Sequence, residues 1–382
     1  MYKYSQQSID AEDAQAVLEV LNSNFLTQGP KIKEFEHAVS DYIGAPFTTC
    51  VNSATSALHT VLLGLDVNQN SIVWVPGISF VATANCVEYC GAQLEFLDVD
   101  KKTGNLCIKL LKNKLIKSKK LKLLPDVVII VDMAGRPCEL AELIYLSKQF
   151  KFKIVHDASH SFGSEYDFQK VGSFEEVAAT VFSFHPVKPI TTGEGGAICT
   201  HDSELDKSVK LISSHYITRE NQKDPWMYDQ IGLGYNFRMT DIQAALGISQ
   251  IKKSEKFIKH KSLLAELYTN KLSHLNGVIG LPIDLEKGSR SAHHLYQIRI
   301  KSGEQSRRIA YDKLKNEGVL TNVHYRPIYV NSYYVKKYGR LFLKGCETFY
   351  KQVLALPLHP ELQQEDVDFI SSKVEKVCND CF

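Results

Sequence analysis

The chain has 382 residues, 44% hydrophobic and 23% charged, with a net charge of +2, which is a globular composition without the basic field that a nucleic-acid partner asks for. Its first residues, MYKYSQQSIDAEDAQ, lack the basic and then apolar run of a signal peptide, and no apolar run approaches the ~18–20 residues that span a bilayer. A soluble, cytoplasmic protein of about two domains is expected, with neither membrane nor nucleic acid as partner.

Taken in order, helical periodicity predicts helices over residues 11–22, 32–42, 54–65, 80–89 and 140–150. Strands are predicted at 72–75, 94–97, 127–132, 153–156, 180–184 and 197–200. The run VVIIVD is apolar at almost every position, as parallel strands covered on both faces are. Such alternation points to an α/β fold with a mostly parallel sheet. The seven lysines in 109–124 read as the solvated face of an amphipathic helix rather than a nucleic-acid groove, since aromatics and arginines are missing. A long helix from about Asp241 leads out of a large domain, 1–250, into a smaller α+β domain, 251–382, which carries the strand LYQIRI. Most of the nine cysteines sit in apolar surroundings, and the Cys378–Cys381 CxxC has no second pair at zinc-ribbon spacing. No metal site is expected.

Four segments place small polar groups where strands end or helices begin. In VNSATSALH, residues 51–59, Asn52, Ser53, Thr55 and Ser56 precede an apolar-periodic run, an arrangement suited to an anion such as phosphate. In KIVHDASHSFGSEY, Asp157 falls where the apolar strand ends, and a carboxylate there can hold a protonated ring nitrogen. In VFSFHPVKPITTGEGG, Ser183 and Lys188 lie on a tight Pro- and Gly-rich loop, where a desolvated amine can act as a nucleophile. In LGYNFRMTDIQ, Asn236 and Arg238 precede the long helix. Read singly, each is as well explained by a helix cap or a surface charge.

Together and in this order, these segments resemble the DegT/DnrJ/EryC1/StrS sugar aminotransferases over essentially the whole chain. The matching stretches are NFLTQGPKIKEFE, NSATSAL, PGISFVATAN, HDASHSFGSEY, VFSFHPVKPITTGEGG, GYNFRMTDIQAALG, HHLYQI and VHYRPIY. The resemblance implies the aspartate-aminotransferase fold of pyridoxal-phosphate (PLP) enzymes, with a large cofactor-binding domain and a small C-terminal one. It implies that Lys188 is the covalent attachment point of PLP and that Asp157 pairs with its ring nitrogen. Ser183, Thr55 and Ser56 are then expected at the phosphate, His160 at the ring's 3-oxygen, and Phe80 stacked on the ring. Asn236 is expected to reach the cofactor of a partner subunit, which implies a homodimer with composite sites. Thr27, Gly29, His324, Tyr325 and Arg326 are expected contacts of a nucleotide sugar.

Within the family the likeness is greatest to the aminotransferases of pseudaminic acid biosynthesis. That implies transfer of the amino group of L-glutamate to the 4-keto carbon of a UDP-linked 2-acetamido-2,6-dideoxy-4-ketohexose, with pyridoxamine phosphate between the half-reactions. Alternatives are another nucleotide-linked 3- or 4-ketosugar, or a non-catalytic regulator that binds nucleotide sugar or PLP. Relatives that dehydrate carry histidine where this chain has Lys188, so the lysine favours transamination. One departure from the family pattern is SSHYITRE, in which Tyr216 follows His215 in place of a glycine. His185 receives no role.

Overall fold

The computed structural model describes residues 1–220 and 222–381, the side chain of Cys381 excepted, so the Cys378–Cys381 pair falls partly outside it. Seven strands form the central sheet: β1 Phe47–Val51, β2 Ile72–Pro76, β3 Gln93–Leu97, β4 Val127–Val131, β5 Lys153–Asp157, β6 Ala179–Ser183 and β7 Gly196–Thr200. Their spatial order is β1-β7-β6-β5-β4-β2-β3. β7 alone runs against its neighbours; the other six share one direction.

Period-two alternation distributes these strands between two apolar layers. Val127 and Ile129 of β4 face a core shared with helices α3 (Ala54–Gly64) and α4 (Ala82–Tyr89), which follow α1 (Ala11–Leu21) and α2 (Pro30–Ile43) in the chain. Val128 and Ile130 face the opposite layer, formed with α5 (Ile108–Leu121) and α6 (Leu140–Phe150). All five residues of β4 are buried, each side chain contributing roughly 1.5–3 kcal/mol to the core. The lysine-rich run is α5, with Leu111 and Leu115 inward and most of its lysines outward.

After α7 (Ser203–Ser213), the 32-residue α8 (Asp241–Leu272) carries the chain into the second unit. There β8 Ile279–Gly280, β9 Tyr296–Ile300 and β10 Val353–Leu356 form an antiparallel sheet. Helices α9 (Glu304–Asn316), α10 (Ser332–Tyr338), α11 (Lys344–Gln352) and α12 (Gln364–Cys381) complete it. Its core gathers Tyr268, Tyr296, Ile298, Leu314 and Ile370. Ile328, Tyr329, Cys346 and Phe349 instead join the core of the large sheet, so the second half of the chain is stitched into the first.

Two differences from the sequence reading affect the site. Residues 47–51 form an unanticipated strand, and α4 starts at Ala82, which leaves Phe80 on the loop before it. No helix among the described residues is long and apolar enough to cross a membrane.

Candidate active site

The carboxyl ends of parallel strands face one edge of the sheet, where open α/β sheets bind ligands. A cavity of about 430 Å³ lies there, lined by Thr55, Asp157, His160, Ser183, Lys188 and Tyr325 among others. The antiparallel β7 starts at this same edge, with its first residue, Gly196, opposite Ser183 at the end of β6. The loop from Phe184 to Gly195 is therefore a closed hairpin, with Thr192 N donating to Phe184 O at 2.9 Å and Phe184 N to Gly195 O at 2.9 Å. Lys188 sits on it, its backbone N–H donating to His185 O at 2.8 Å. Burial is the largest influence on the amine and lowers its pKa to about 8, opposed in part by the nearby Asp157 carboxylate. Gly193, with φ +80°, supplies the left-handed turn.

Asp157 ends β5 and is buried. Its Oδ2 accepts from Thr83 Oγ1 at 2.7 Å, and its Oδ1 from Ser159 Oγ at 2.5 Å. Two hydroxyls thus fix the carboxylate's orientation while it stays at the cavity wall.

α3 begins beside the lysine hairpin. Ser53 caps the helix by accepting from Ser56 N at 3.1 Å. The approach is close: a Cβ on Gly196 would lie 2.7 Å from both Ala54 N and Ser53 C. Thr55 lines the cavity, as Ser183 does from the end of β6. Ser56 is outside the lining and turned inward, its hydroxyl donating to Asn52 Oδ1 at 2.6 Å. The anion-suited surface is therefore Ser53, Ala54 and Thr55 rather than the Thr55–Ser56 pair.

A group of histidines closes the far wall. His160 Nδ1 accepts from Ala134 N at 3.3 Å, so in the neutral ring the proton resides on Nε2, 3.0 Å from Tyr325 Oη. Burial, then Lys188 and His324, pushes the His160 pKa well below its ordinary value. The His294 ring lies 4.2 Å from that of His160, and burial depresses its pKa strongly as well. His324, lowered to about 4 by burial and then by Lys188, is the third neutral ring. Burial pushes the Tyr325 hydroxyl well above its usual range, so it remains protonated. Phe80 stands at the mouth, 55% exposed, with its ring 6.2 Å from that of Tyr325.

Besides Ser56, four expected contacts lie outside this lining. Thr27 pairs with Thr240 in an isolated bridge, and Gly29 N donates to Asp241 Oδ2 at 2.8 Å, so this segment fastens α2 to the start of α8. Arg326 is exposed and donates to Val330 O at 3.2 Å. Asn236 is exposed, away from its own chain's cavity. Conversely, Thr83, Ser159, Ser79, Tyr4, Glu194 and His294 were not singled out from the sequence, although all but Thr83 line the cavity. All but Tyr4 lie in stretches that carry the family resemblance: Ser79 and Thr83 in PGISFVATAN, Ser159 in HDASHSFGSEY, Glu194 in VFSFHPVKPITTGEGG and His294 in HHLYQI. His185, exposed, also lines the cavity.

The model of the DegT/DnrJ/EryC1/StrS aminotransferase family matches residues 7–375. The chain is 37% identical to a UDP-4-amino-4,6-dideoxy-N-acetyl-beta-L-altrosamine transaminase of Campylobacter jejuni, covering 99% of this chain and 98% of that protein. Among solved structures it superposes on Helicobacter pylori PseC, an aminotransferase involved in the biosynthesis of pseudoaminic acid, with TM-score 0.89, 35% identity and 99% coverage of both chains. It also superposes on the putative sugar aminotransferase Spr1654 of Streptococcus pneumoniae in its PMP form, with TM-score 0.90, 27% identity and 99% coverage of both chains; that protein is also solved in a PLP form. With fold, site and full-length likeness in agreement, the chain belongs to the DegT/DnrJ/EryC1/StrS aminotransferase family.

Proposed function

We propose that this chain is a PLP-dependent aminotransferase that moves the amino group of L-glutamate to the 4-keto carbon of a UDP-linked 2-acetamido-2,6-dideoxy-4-ketohexose. The observation that carries the reading is the shared cavity of Lys188 and Asp157, with the amine's pKa lowered to about 8. The donor set fits PLP: an amine for its aldehyde, a buried carboxylate for its ring nitrogen, and the polar start of α3 with Ser183 for its phosphate. When bound, PLP supplies the electron sink that makes the α-hydrogen of an amino acid acidic. The substrate follows from the relatives named for the altrosamine transaminase reaction, alike over the full length.

Within that frame each side chain has a task. Lys188 Nζ takes the α-proton of L-glutamate as general base and later returns a proton to the amino-bearing carbon of the sugar. Asp157, oriented by Thr83 and Ser159, keeps the ring nitrogen protonated. Neutral His160 and Tyr325 offer a hydrogen-bonding edge without adding a charge that would compete with the lysine. Phe80 and Tyr325 exclude water at the mouth. Thr27, Gly29 and Arg326 are not at this cavity, so a role for them in holding the nucleotide requires a wider cleft.

A homodimer completes the proposal. Asn236 lies on a stretch rich in exposed apolar side chains, Trp226 at 74%, Tyr228 at 58% and Leu233 at 82%, which suits an interface between subunits. Asn236 would then serve the neighbouring subunit's phosphate. The test is mass spectrometry of products from UDP- and dTDP-linked 3- and 4-ketosugars incubated with L-glutamate and PLP. A 4-amino sugar is expected from the UDP-linked 4-ketosugar, and none from Lys188→Ala. An amino sugar formed only from a dTDP-linked 3-ketosugar would refute the substrate, and an active Lys188→Ala protein would refute the chemistry.

A further inference from the structure

A second cavity of about 430 Å³ lies in the seam between the two units, behind the histidine wall. Met133, Ala134 and Arg136 border it from the large sheet's side, Ala265 and Thr269 from α8, and Arg299 from β9. Its walls include the buried apolar side chains of Met133, Ala265, Leu295 and Phe349. The Arg136 guanidinium is spent on the Ile283 and Asp284 carbonyls, at 2.5 and 3.1 Å, which holds that segment along the rim. Lys102, Glu266 and Asp284 also border the cavity, all three exposed to solvent.

Arg299 differs from these. Its guanidinium is half-buried and lies over Gly280, where an added Cβ would meet Nη2 at 2.6 Å. Among the described residues its guanidinium forms no direct ion pair, and its one hydrogen bond is a long one, to Leu281 O at 3.4 Å. A guanidinium carries five donors in a planar fork that matches a carboxylate; here burial works against its charge and the Asp100 carboxylate offsets this only from a distance, without an ion-pair contact, so the fork's donors are left open to an anion. An apolar chamber with one such fork fits an amphipathic molecule bearing a single carboxylate. The chamber also touches the Lys188 cavity through shared walls. Gln297, in its lining, donates to His324 O at 3.2 Å, and the Ala134 N–H is the donor to His160 Nδ1.

We propose that the seam cavity is a second binding site, for a small amphipathic carboxylate whose carboxyl group pairs with Arg299. Calorimetric titration of the PLP-loaded protein with 3-phenylpropionate tests it, against the neutral isostere 3-phenylpropan-1-ol and against Arg299→Met. Binding to the wild type is expected, weaker by tenfold or more for the alcohol and for the variant. Hydrogen-exchange mass spectrometry with 3-phenylpropionate should show protection in 262–270 of α8. No binding at millimolar concentration, an alcohol that binds equally well, or protection confined to the lysine loop at 183–196 would each overturn the proposal. The alcohol and exchange measurements use the wild type alone, so they decide the matter even if Arg299→Met fails to fold.

Discussion

Thr83, in the first turn of α4, donates to Asp157 Oδ2 at 2.7 Å across 74 residues of sequence. The bond ties the helix that follows β2 to the carboxylate that ends β5. Thr83→Val keeps the volume and removes the donor, at a cost typical of a hydrogen bond to a charged group, about 1.5–3 kcal/mol. PLP affinity should fall roughly tenfold or more, while Thr83→Ser stays near wild type. Equilibrium dialysis of PLP with both variants measures this; an unchanged affinity in Thr83→Val would remove Thr83 from the site.

Lys188 gives a pH dependence. Burial places its pKa at about 8, below the ordinary 10.5, so the neutral, nucleophilic amine is populated two to three units lower in pH than for a solvated lysine. The rate at which cofactor-free protein takes up PLP should rise with pH and level off above about 8. Stopped-flow absorbance between pH 6 and 10 follows it. A rise that continues to pH 10 would contradict the buried-amine account.

Lys261 on α8 is 3% exposed, and burial alone lowers its pKa from 10.5 to about 7. The folded-state value lies below the unfolded one, so between pH 7 and 10.5 the unfolded chain binds the extra proton. Stability from this group therefore rises with pH across that window, and the full penalty applies below 7. Lys261→Met should stabilise the protein at pH 6 by up to about 4 kcal/mol, with the gain vanishing towards pH 10.5. Urea denaturation of both proteins at the two pH values checks the sign.

Gly196→Ala forces a Cβ to within 2.7 Å of the α3 backbone. Backbone cannot yield as a side-chain tip does, so α3 must shift, at a cost of about 1–3 kcal/mol. A drop in PLP affinity of tenfold or more is expected, with a smaller fall in thermal midpoint. Retained affinity would show that the approach of β7 to α3 does not shape the anion site.

Much of this arrangement was legible because its parts carry strong local signals. VVIIV declares a buried parallel strand, and a lysine among prolines and glycines declares a constrained loop. β1 was not legible, because FTTCV places two threonines in a buried strand. Tertiary partners satisfy them: Thr48 Oγ1 accepts from Ser40 and Thr49 Oγ1 donates to Asp206, partners that hydropathy does not reveal. The Ser56 hydroxyl faces Asn52 and not the cavity, since one residue turns a helix by about 100° and takes a hydroxyl from the cavity to the interior. Thr83 hid because its partner lies 74 positions away. Thr27, Gly29 and Arg326 were expected from the family resemblance, and in this fold they bond to backbone and side-chain partners outside the cavity lining.

The reversal of β7 bears on how the site comes apart. Because β6 and β7 are joined by the lysine loop, the backbone that carries Lys188 is closed by bonds among the loop's own residues, a short local circuit of chain. Asp157 and the start of α3 arrive from distant parts of the sequence through long crossovers, and their placement depends on the assembled layers. Partial opening that loosens α3 would scatter the anion-binding surface while the hairpin still presents its amine. The protein would then pass through a state that keeps its reactive group and has lost the means to orient anything against it.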